Sequence, residues 1–132
     1  MNFEDEKDYI MRMIKEMVRM LVSLVLGKPF VQVELPPENK YGISGDRLSK
    51  WKEMIDQGDI NEAENMLLDS MDYTNREAVA ELIFFYEYTS EKEDSFLEQH
   101  NYSREEILDG LKQLARRTGC ENMMDIYLPD RD

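Results

Sequence analysis

Apolar residues recur at helical spacing along most of the chain, and the longest such segment predicts a helix over about 5–26. Its polar side chains fall within an arc of roughly 100°, so most of the circumference is apolar. Gly27 and Pro29 are expected to end this helix, because neither residue continues a helix well. A helix with so narrow a polar face must be covered on more than one side, either by its own domain or by a partner.

The remaining pattern divides into a connection, a helical core and a tail. The long connection at about 27–45 contains Pro and Gly residues, which interrupt regular structure. Periodic apolar positions resume over 46–119 and predict the other helices, followed by a short tail over 120–132. The predicted fold class is therefore all-α: a single domain over 1–132, built as a compact bundle of five or six helices.

Three helices of the core begin with a capping signal, which is a Ser, Thr or Asp followed three residues later by Glu. The pairs are Asp59 with Glu62, Thr74 with Glu77, and Ser103 with Glu106. The first residue of each pair is expected to accept a hydrogen bond from a backbone N–H in the first helical turn. At the other end of the last helix, Gly119 is expected to occupy the C′ position.

Three segments are distinctive: Asp8–Ile14, Gln57–Glu64, and Tyr102–Ile107 followed by Gly110 and Leu111. Together they resemble an uncharacterised family of short acidic all-helical proteins from anaerobic Gram-positive bacteria. The resemblance spans most of the chain. It implies an all-helical domain and carries no activity.

The middle segment is also similar to half a tetratricopeptide repeat, in which a turn Gly precedes a small Ala by five residues, as Gly58 precedes Ala63. The Gly permits a tight turn, and the Ala lets the two helices approach closely. Because no second copy occurs at a period near 34 residues, the sequence predicts one tetratricopeptide-like hairpin rather than a stacked array.

The charge balance and the counts of Cys and His exclude several classes of function. Sixteen Lys and Arg residues against 29 Asp and Glu residues give a net charge of −13, which repels nucleic-acid phosphates. One His excludes a two-His metal site within the chain, and one Cys excludes a Cys-rich zinc site. The sequence therefore predicts no metal, no cofactor and no nucleic-acid partner.

The N-terminal residues are acidic, whereas a secretory signal begins with a basic segment. The most apolar run, from Met17 to Leu26, is interrupted by Arg19 and is only ten residues long. A membrane-spanning helix needs about 20 apolar residues. We therefore expect a cytoplasmic protein without a transmembrane span.

Catalytic candidates are weak. The lone His100 is better explained as a surface or interhelix residue than as a catalytic one, and Cys120 is interpreted as an inert thiol. Carboxylates such as Glu81 and Glu87 are so abundant that acidic pairs arise by chance, and a solvated surface explains them best. No catalytic residue is assigned, and an enzyme that uses carboxylates is kept as the third alternative.

The ten Met residues are the least ordinary feature, and four of them lie on the first helix. Met side chains suit adaptable contact surfaces, although a plain core filled with Met explains the pattern equally well. The favoured function is a non-enzymatic protein-interaction module that binds a protein partner, including itself as a homodimer, through this helix. The expected contact residues are Met13, Met17, Met20, Leu21 and Leu24.

The same helix supports a second interpretation. Residues 9–28 contain four basic residues and one acid, which gives them a net charge of +3 in an otherwise acidic chain. A basic amphipathic helix is typical of proteins that lie on membranes. Peripheral contact with a membrane or a membrane protein through Arg12, Lys15, Arg19 and Lys28 is therefore the main alternative.

Overall fold

All regular secondary structure in the described part of the chain is helical. The structure, a computed structural model, describes residues 3–25, 27 and 45–120. The helices in these ranges are α1 (Phe3–Val25), α2 (Gly45–Asp56), α3 (Ile60–Asp69), α4 (Arg76–Ser90), α5 (Asp94–Gln99) and α6 (Arg104–Arg117). The predicted all-α bundle of five or six helices is confirmed.

The predicted boundaries of the first helix, about 5–26, differ from those of α1 by one or two residues at each end. Gly27 follows this helix with a φ of +68°, a backbone conformation that Gly adopts readily. Most of the predicted connection and tail, over 28–44 and 121–132, lies outside the described residues.

α1 is central to the core and packs against both α4 and α6. Its buried residues are Met13, Ile14, Met17, Val18, Met20, Leu21 and Val22. At about 100° per residue, these positions span roughly 200° of the helix circumference. The expectation that this helix is covered on more than one side is therefore confirmed, and the chain itself supplies the cover.

α4 is the second central element, because it packs against α1, α2, α3 and α6. Every residue from Val79 to Tyr86 is buried, as expected for a helix with neighbours on several sides. Trp51 of α2 lies edge-on to Phe84 and Phe85, with ring centroids 5.5 and 5.9 Å apart. Aromatic pairs with this geometry stabilise the fold beyond the burial of their area.

Glu81 departs from the solvated acidic surface that the sequence led us to expect, because it is only 4% exposed. Its carboxylate accepts two hydrogen bonds from the Arg47 guanidinium, each 2.8 Å long, and one from the Trp51 indole at 3.1 Å. A buried carboxylate needs such partners to offset its lost hydration. The sequence did not reveal them, since Arg47 is 34 residues away along the chain.

The chain turns between α2 and α3 at Gly58, as predicted. Gly58 has a φ of +96°, and its N–H donates to the carbonyl of Ile55 at 2.9 Å, while the Asp59 N–H donates to the carbonyl of Met54 at 2.8 Å. These two bonds form a Schellman motif. The His100 ring packs against the turn, because a Cβ added to Gly58 would lie 2.2 Å from it.

The three predicted N-caps differ in outcome. Ser103 accepts a hydrogen bond from the Glu106 N–H at 3.2 Å, as predicted. Asp59 holds the N-cap position of α3 without a side-chain cap bond. Asn75, rather than Thr74, caps α4 and accepts a bond from a first-turn N–H at 3.1 Å. The predicted capping bonds of Asp59 and Thr74 are therefore wrong.

Candidate functional site

Most of the predicted contact surface of α1 lies inside the domain. Met13, Met17, Met20 and Leu21 are buried, with at most 7% of their surface exposed, whereas Leu24 is 36% exposed. A partner can contact the four buried side chains only after α1 separates from its neighbours. Leu24 is thus the predicted contact residue that a single folded chain offers to solvent.

The basic residues of the membrane alternative lie on the solvent side of α1. Arg12, Lys15 and Arg19 are exposed, and Lys28 lies outside the described residues. An interfacial helix places its apolar face in the lipid, but the apolar face of α1 is buried within the chain. In the described part of the chain, no helix combines the length and apolar character that crossing a membrane requires.

A surface groove lies between α3, α4 and α6 and has a volume of about 380 Å³. Pockets that bind ligands have volumes of roughly 300–1,000 Å³. One wall consists of Glu64 and Leu68 from α3, with Leu82 and Tyr86 from α4 below them. We call this feature the α3/α4/α6 groove.

The opposite wall is a single face of α6. Its residues recur every three or four positions, as expected for one side of a helix, and they are Glu106, Asp109, Gly110, Gln113, Leu114 and Arg117. At 1.5 Å per residue this wall is roughly 16 Å long. Its first turns carry carboxylates and its last turn carries a guanidinium, so the groove has an acidic end and a basic end.

Two tyrosines hold the Glu64 carboxylate at the acidic end. The Tyr86 hydroxyl donates to Oε2 at 2.6 Å, and the hydroxyl of Tyr102, which precedes α6, donates to Oε1 at 3.1 Å. Burial, together with the negative charge of Glu64, raises the pKa of both hydroxyls well above the ordinary value of 10. They therefore remain protonated donors at neutral pH and orient the Glu64 carboxylate.

Gly110 makes room for this arrangement. A Cβ at this position would lie 2.3 Å from the Cζ and hydroxyl oxygen of Tyr86, which is closer than non-bonded atoms approach. Any side chain there would move the Tyr86 ring and disturb its bond to Glu64. Gly within a helix costs roughly 0.5–1 kcal/mol relative to Ala, so α6 gives up some intrinsic stability for this close approach.

The middle of the groove is apolar, and an aromatic–cation pair marks its basic end. Leu82 and Leu114 line the groove but are each only 1% exposed, whereas Leu68 is 39% exposed. The Arg117 guanidinium lies 5.5 Å above the ring centroid of Tyr73, within cation–π distance. The groove can therefore contact an apolar side chain at Leu68 and a charged group at either end.

A family model covers nearly all of this architecture. It describes a family of unknown function, DUF6483, and it matches residues 4–119. The chain belongs to DUF6483. The resemblance to an uncharacterised family is confirmed at that level, and the match includes every residue of the groove. Comparisons with curated proteins and with solved structures gave no significant match.

The remaining candidate residues of this DUF6483 member take part in packing. His100 is half-buried, and its ring lies against Phe96 at a tilt of 46°, with centroids 4.6 Å apart and Nδ1 2.8 Å from the Phe96 carbonyl. Cys120 is buried. Within the described ranges, no three His, Cys, Asp or Glu side chains are grouped so as to hold a metal ion.

Sequence reasoning did not bring Glu64, Tyr86 and Gly110 together as one site. Glu64 was one acid among 29, and Tyr86 belonged to an aromatic run that is typical of a core. A usable signal was Gly110, an isolated Gly inside a helix with well-defined caps, since such a Gly often marks a close approach of another group. The identity of that group depends on tertiary structure.

Proposed function

We propose that this DUF6483 domain is a non-enzymatic protein-interaction module that binds a segment of a partner protein in the α3/α4/α6 groove. The observation that carries the proposal is a concave groove in which the apolar side chain of Leu68 is left 39% exposed. Apolar surface that a chain leaves open in a concave site is typical of a site for another molecule.

The two tyrosines at the acidic end of the groove have properties that suit binding better than proton transfer. Its acidic end holds a carboxylate that is fixed by two hydroxyls, and burial raises the pKa of both hydroxyls away from neutrality. General acid–base catalysis works best with groups whose pKa lies near the operating pH. These tyrosines suit a binding site, in which fixed donors orient an acceptor.

Several predictions from the sequence about partners, cellular location and fold are independent of this proposal. Self-association through α1, contact with a membrane, a cytoplasmic location and the tetratricopeptide-like character of the α2–α3 hairpin all stay predictions. The exposed Leu24 offers a surface on which interaction through α1 can be compared directly with interaction through the groove.

Two charge-introducing variants separate the two surfaces. Leu68→Glu places a carboxylate at the rim of the groove, and Leu24→Glu places one at the partly exposed C-terminal end of α1. Both residues are Leu, are exposed to a similar extent and lie in the last turns of their helices, so the two changes have matched effects on helix propensity and on the helix dipole. Circular dichroism should show that both variants fold.

The experiment captures partners from the native host with the wild type and both variants, identifies them and repeats the binding with purified proteins. Loss of a partner with Leu68→Glu but not with Leu24→Glu is the expected result. Loss with Leu24→Glu alone would assign the interaction to α1 and contradict the groove. Sedimentation of the three purified proteins shows in the same way whether Leu24 contributes to self-association.

A further inference from the structure

We propose that the groove recognises an arginine side chain in an apolar peptide segment, and that the guanidinium pairs with the Glu64 carboxylate. This inference rests on the proposed function, because it names the chemistry of the segment that the groove accepts. It is carried by the unused acceptor sites of Glu64, by the charge of the groove's acidic end and by the apolar surface beside it.

The Glu64 carboxylate has acceptor capacity to spare. A carboxylate offers about four lone-pair sites, and the tyrosine hydroxyls use one on each oxygen. No described Lys or Arg lies within ion-pair distance of Glu64. One acceptor site therefore remains on each oxygen, and the negative charge has no cation beside it among the described residues.

The geometry of these two sites favours arginine over lysine. A guanidinium presents two parallel N–H groups that match the two oxygens of one carboxylate, whereas an ammonium is a point charge without that fork. The tyrosine bonds fix the orientation of the Glu64 oxygens before a ligand arrives. Such preorganisation reduces the entropy that binding would otherwise cost.

The surroundings of Glu64 add long-range attraction for a cation. Glu106 and Asp109 line the same end of the groove, while Arg117 lies at the other end. The chain as a whole carries a net charge of −13, which attracts basic partners and speeds their encounter. A basic side chain is therefore drawn to the Glu64 end and repelled from the Arg117 end, which gives a bound segment a direction.

Leu68 accommodates the remainder of such a side chain. Arginine has a three-carbon stem that packs on apolar surface while its charged head reaches a polar group. Leu68 is 39% exposed and follows Glu64 by one turn of α3, so it provides that surface. Apolar residues that flank the arginine in the partner would cover the same leucine, so the expected ligand combines one arginine with apolar neighbours.

The experiment titrates the full-length protein with a blocked peptide, acetyl-Leu-Ala-Arg-Ala-Leu-amide, and records amide chemical shifts and affinity. Two further peptides replace the arginine with lysine or with citrulline, which keeps the shape of the side chain but lacks the charge. We expect the arginine peptide to bind about tenfold more tightly than the citrulline peptide, as a hydrogen bond to a charged group implies. The lysine peptide should fall between them.

Glu64→Gln tests the residue itself, because Gln keeps the size and one acceptor oxygen but removes the charge. This variant should bind the arginine peptide about tenfold more weakly than the wild type does, and it should no longer distinguish arginine from citrulline. Glu62→Gln is the matched control, since Glu62 is exposed on the same helix and does not line the groove. It should bind all three peptides as the wild type does.

Each contrary result has a distinct meaning. Equal affinity of the wild type for the arginine and citrulline peptides would overturn arginine recognition, and so would the absence of shifts around the groove with every peptide. Neither result would contradict the proposed function, which depends on the effect of Leu68→Glu on a natural partner. Equal weakening by Glu62→Gln and Glu64→Gln would show that overall charge, rather than Glu64, attracts the peptide. If Glu64→Gln fails to fold, the three-peptide comparison with the wild type still decides.

Discussion

Helix α4 packs against α1 and also against the α2–α3 hairpin, and these two contacts differ in chemistry. On α1, every buried residue with a described side chain is apolar. Toward the hairpin, by contrast, α4 presents aromatic rings together with a buried carboxylate and two hydroxyls. The contact with the hairpin therefore includes directional bonds to a buried carboxylate in addition to apolar packing.

Among the described residues, three carboxylates contribute polar bonds around the hairpin contact, and each accepts hydrogen bonds from two side chains. Glu81 of α4 is bonded to two residues of α2, Asp56 is bonded to Tyr88 and Lys92, and Glu64 is bonded to Tyr86 and Tyr102. In each case the bonded residues are at least 22 positions apart in sequence.

The difference shows what polar bonds contribute that apolar packing does not. Burial is non-directional and roughly proportional to area, so the position of α1 is set by the close packing of its side chains. Hydrogen bonds require defined distances and angles, so the hairpin has one best position. The groove needs that precision, because α3 supplies both Glu64 and Leu68 to its wall.

The largest expected effect comes from the apolar contact. Met17 is fully buried in α1, and Met17→Ala should reduce the free energy of unfolding by about 2–5 kcal/mol through lost burial and the cavity that remains. Chemical denaturation measures this loss. Leu24→Ala is the control, because its side chain near the end of the same helix is 36% exposed; it should cost less, about 1 kcal/mol. A loss below 1 kcal/mol for Met17→Ala would contradict tight packing of α1.

A smaller but more local effect is expected at the hairpin contact. Arg47→Met leaves Glu81 bonded only to Trp51 among its described partners, and the loss should be about 1–2 kcal/mol, since Arg47 itself is largely exposed. Hydrogen exchange should become faster in α2 and α3 more than in α1. Lys50→Met, an exposed change on the same helix, should leave exchange unaltered. Equal acceleration in α1 and the hairpin would show that the two contacts do not open separately.

The sequence predicted the end of a helix correctly where a single Gly determines the backbone conformation. Gly119 has a φ of +82° and donates to the Arg116 carbonyl at 3.2 Å, while the Cys120 N–H donates to the Ala115 carbonyl at 2.7 Å. This is again a Schellman motif with Gly at C′. Such motifs require only neighbouring residues, so the sequence alone is sufficient to identify them.

Competing local bonds explain why the capping prediction for Thr74 was wrong. The hydroxyl and the N–H of Thr74 both donate to the Asp72 carboxylate, at 2.7 and 3.0 Å. Thr74 therefore belongs to a turn formed by Asp72, and the cap falls to Asn75. Asp, Asn, Ser and Thr all bond nearby backbone groups, so when several occur in succession the sequence does not determine which one caps the helix.

The groove and the hairpin contact could not be predicted from the sequence, because the residues that form them are far apart along the chain. Glu64 and Tyr102 are 38 residues apart, and Arg47 and Glu81 are 34 apart. Periodicity correctly predicted that Met13, Met17, Met20 and Leu21 are apolar face residues. It did not show whether the cover for that face is the rest of the chain or a second molecule, since both bury the same pattern.

The smallest expected effect tests the polar part of the hairpin contact through pH. Asp56 Oδ1 accepts bonds from the Tyr88 hydroxyl at 2.7 Å and the Lys92 ammonium at 2.6 Å. Although partial burial raises the pKa of Asp56, the bonds from Lys92 and Tyr88 outweigh it and hold the pKa below the ordinary value of 3.8. A lowered pKa in the folded state means that the ionised carboxylate stabilises the fold above pH 3.8, and that this contribution is lost as the pH falls below that value.

Asp56→Asn should therefore be less stable than the wild type at pH 7, by less than about 1 kcal/mol because the pair is half-exposed. The difference should shrink as the pH falls below 3.8, when the wild-type carboxylate is protonated as well. Urea denaturation of both proteins between pH 7 and pH 2.5 measures it. Asp69→Asn, a change to an exposed carboxylate of the same hairpin, should stay within about 0.5 kcal/mol of the wild type throughout. A difference that persists unchanged at pH 2.5 would mean that the shape of the Asp56 side chain, rather than its charge, holds the hairpin at this point.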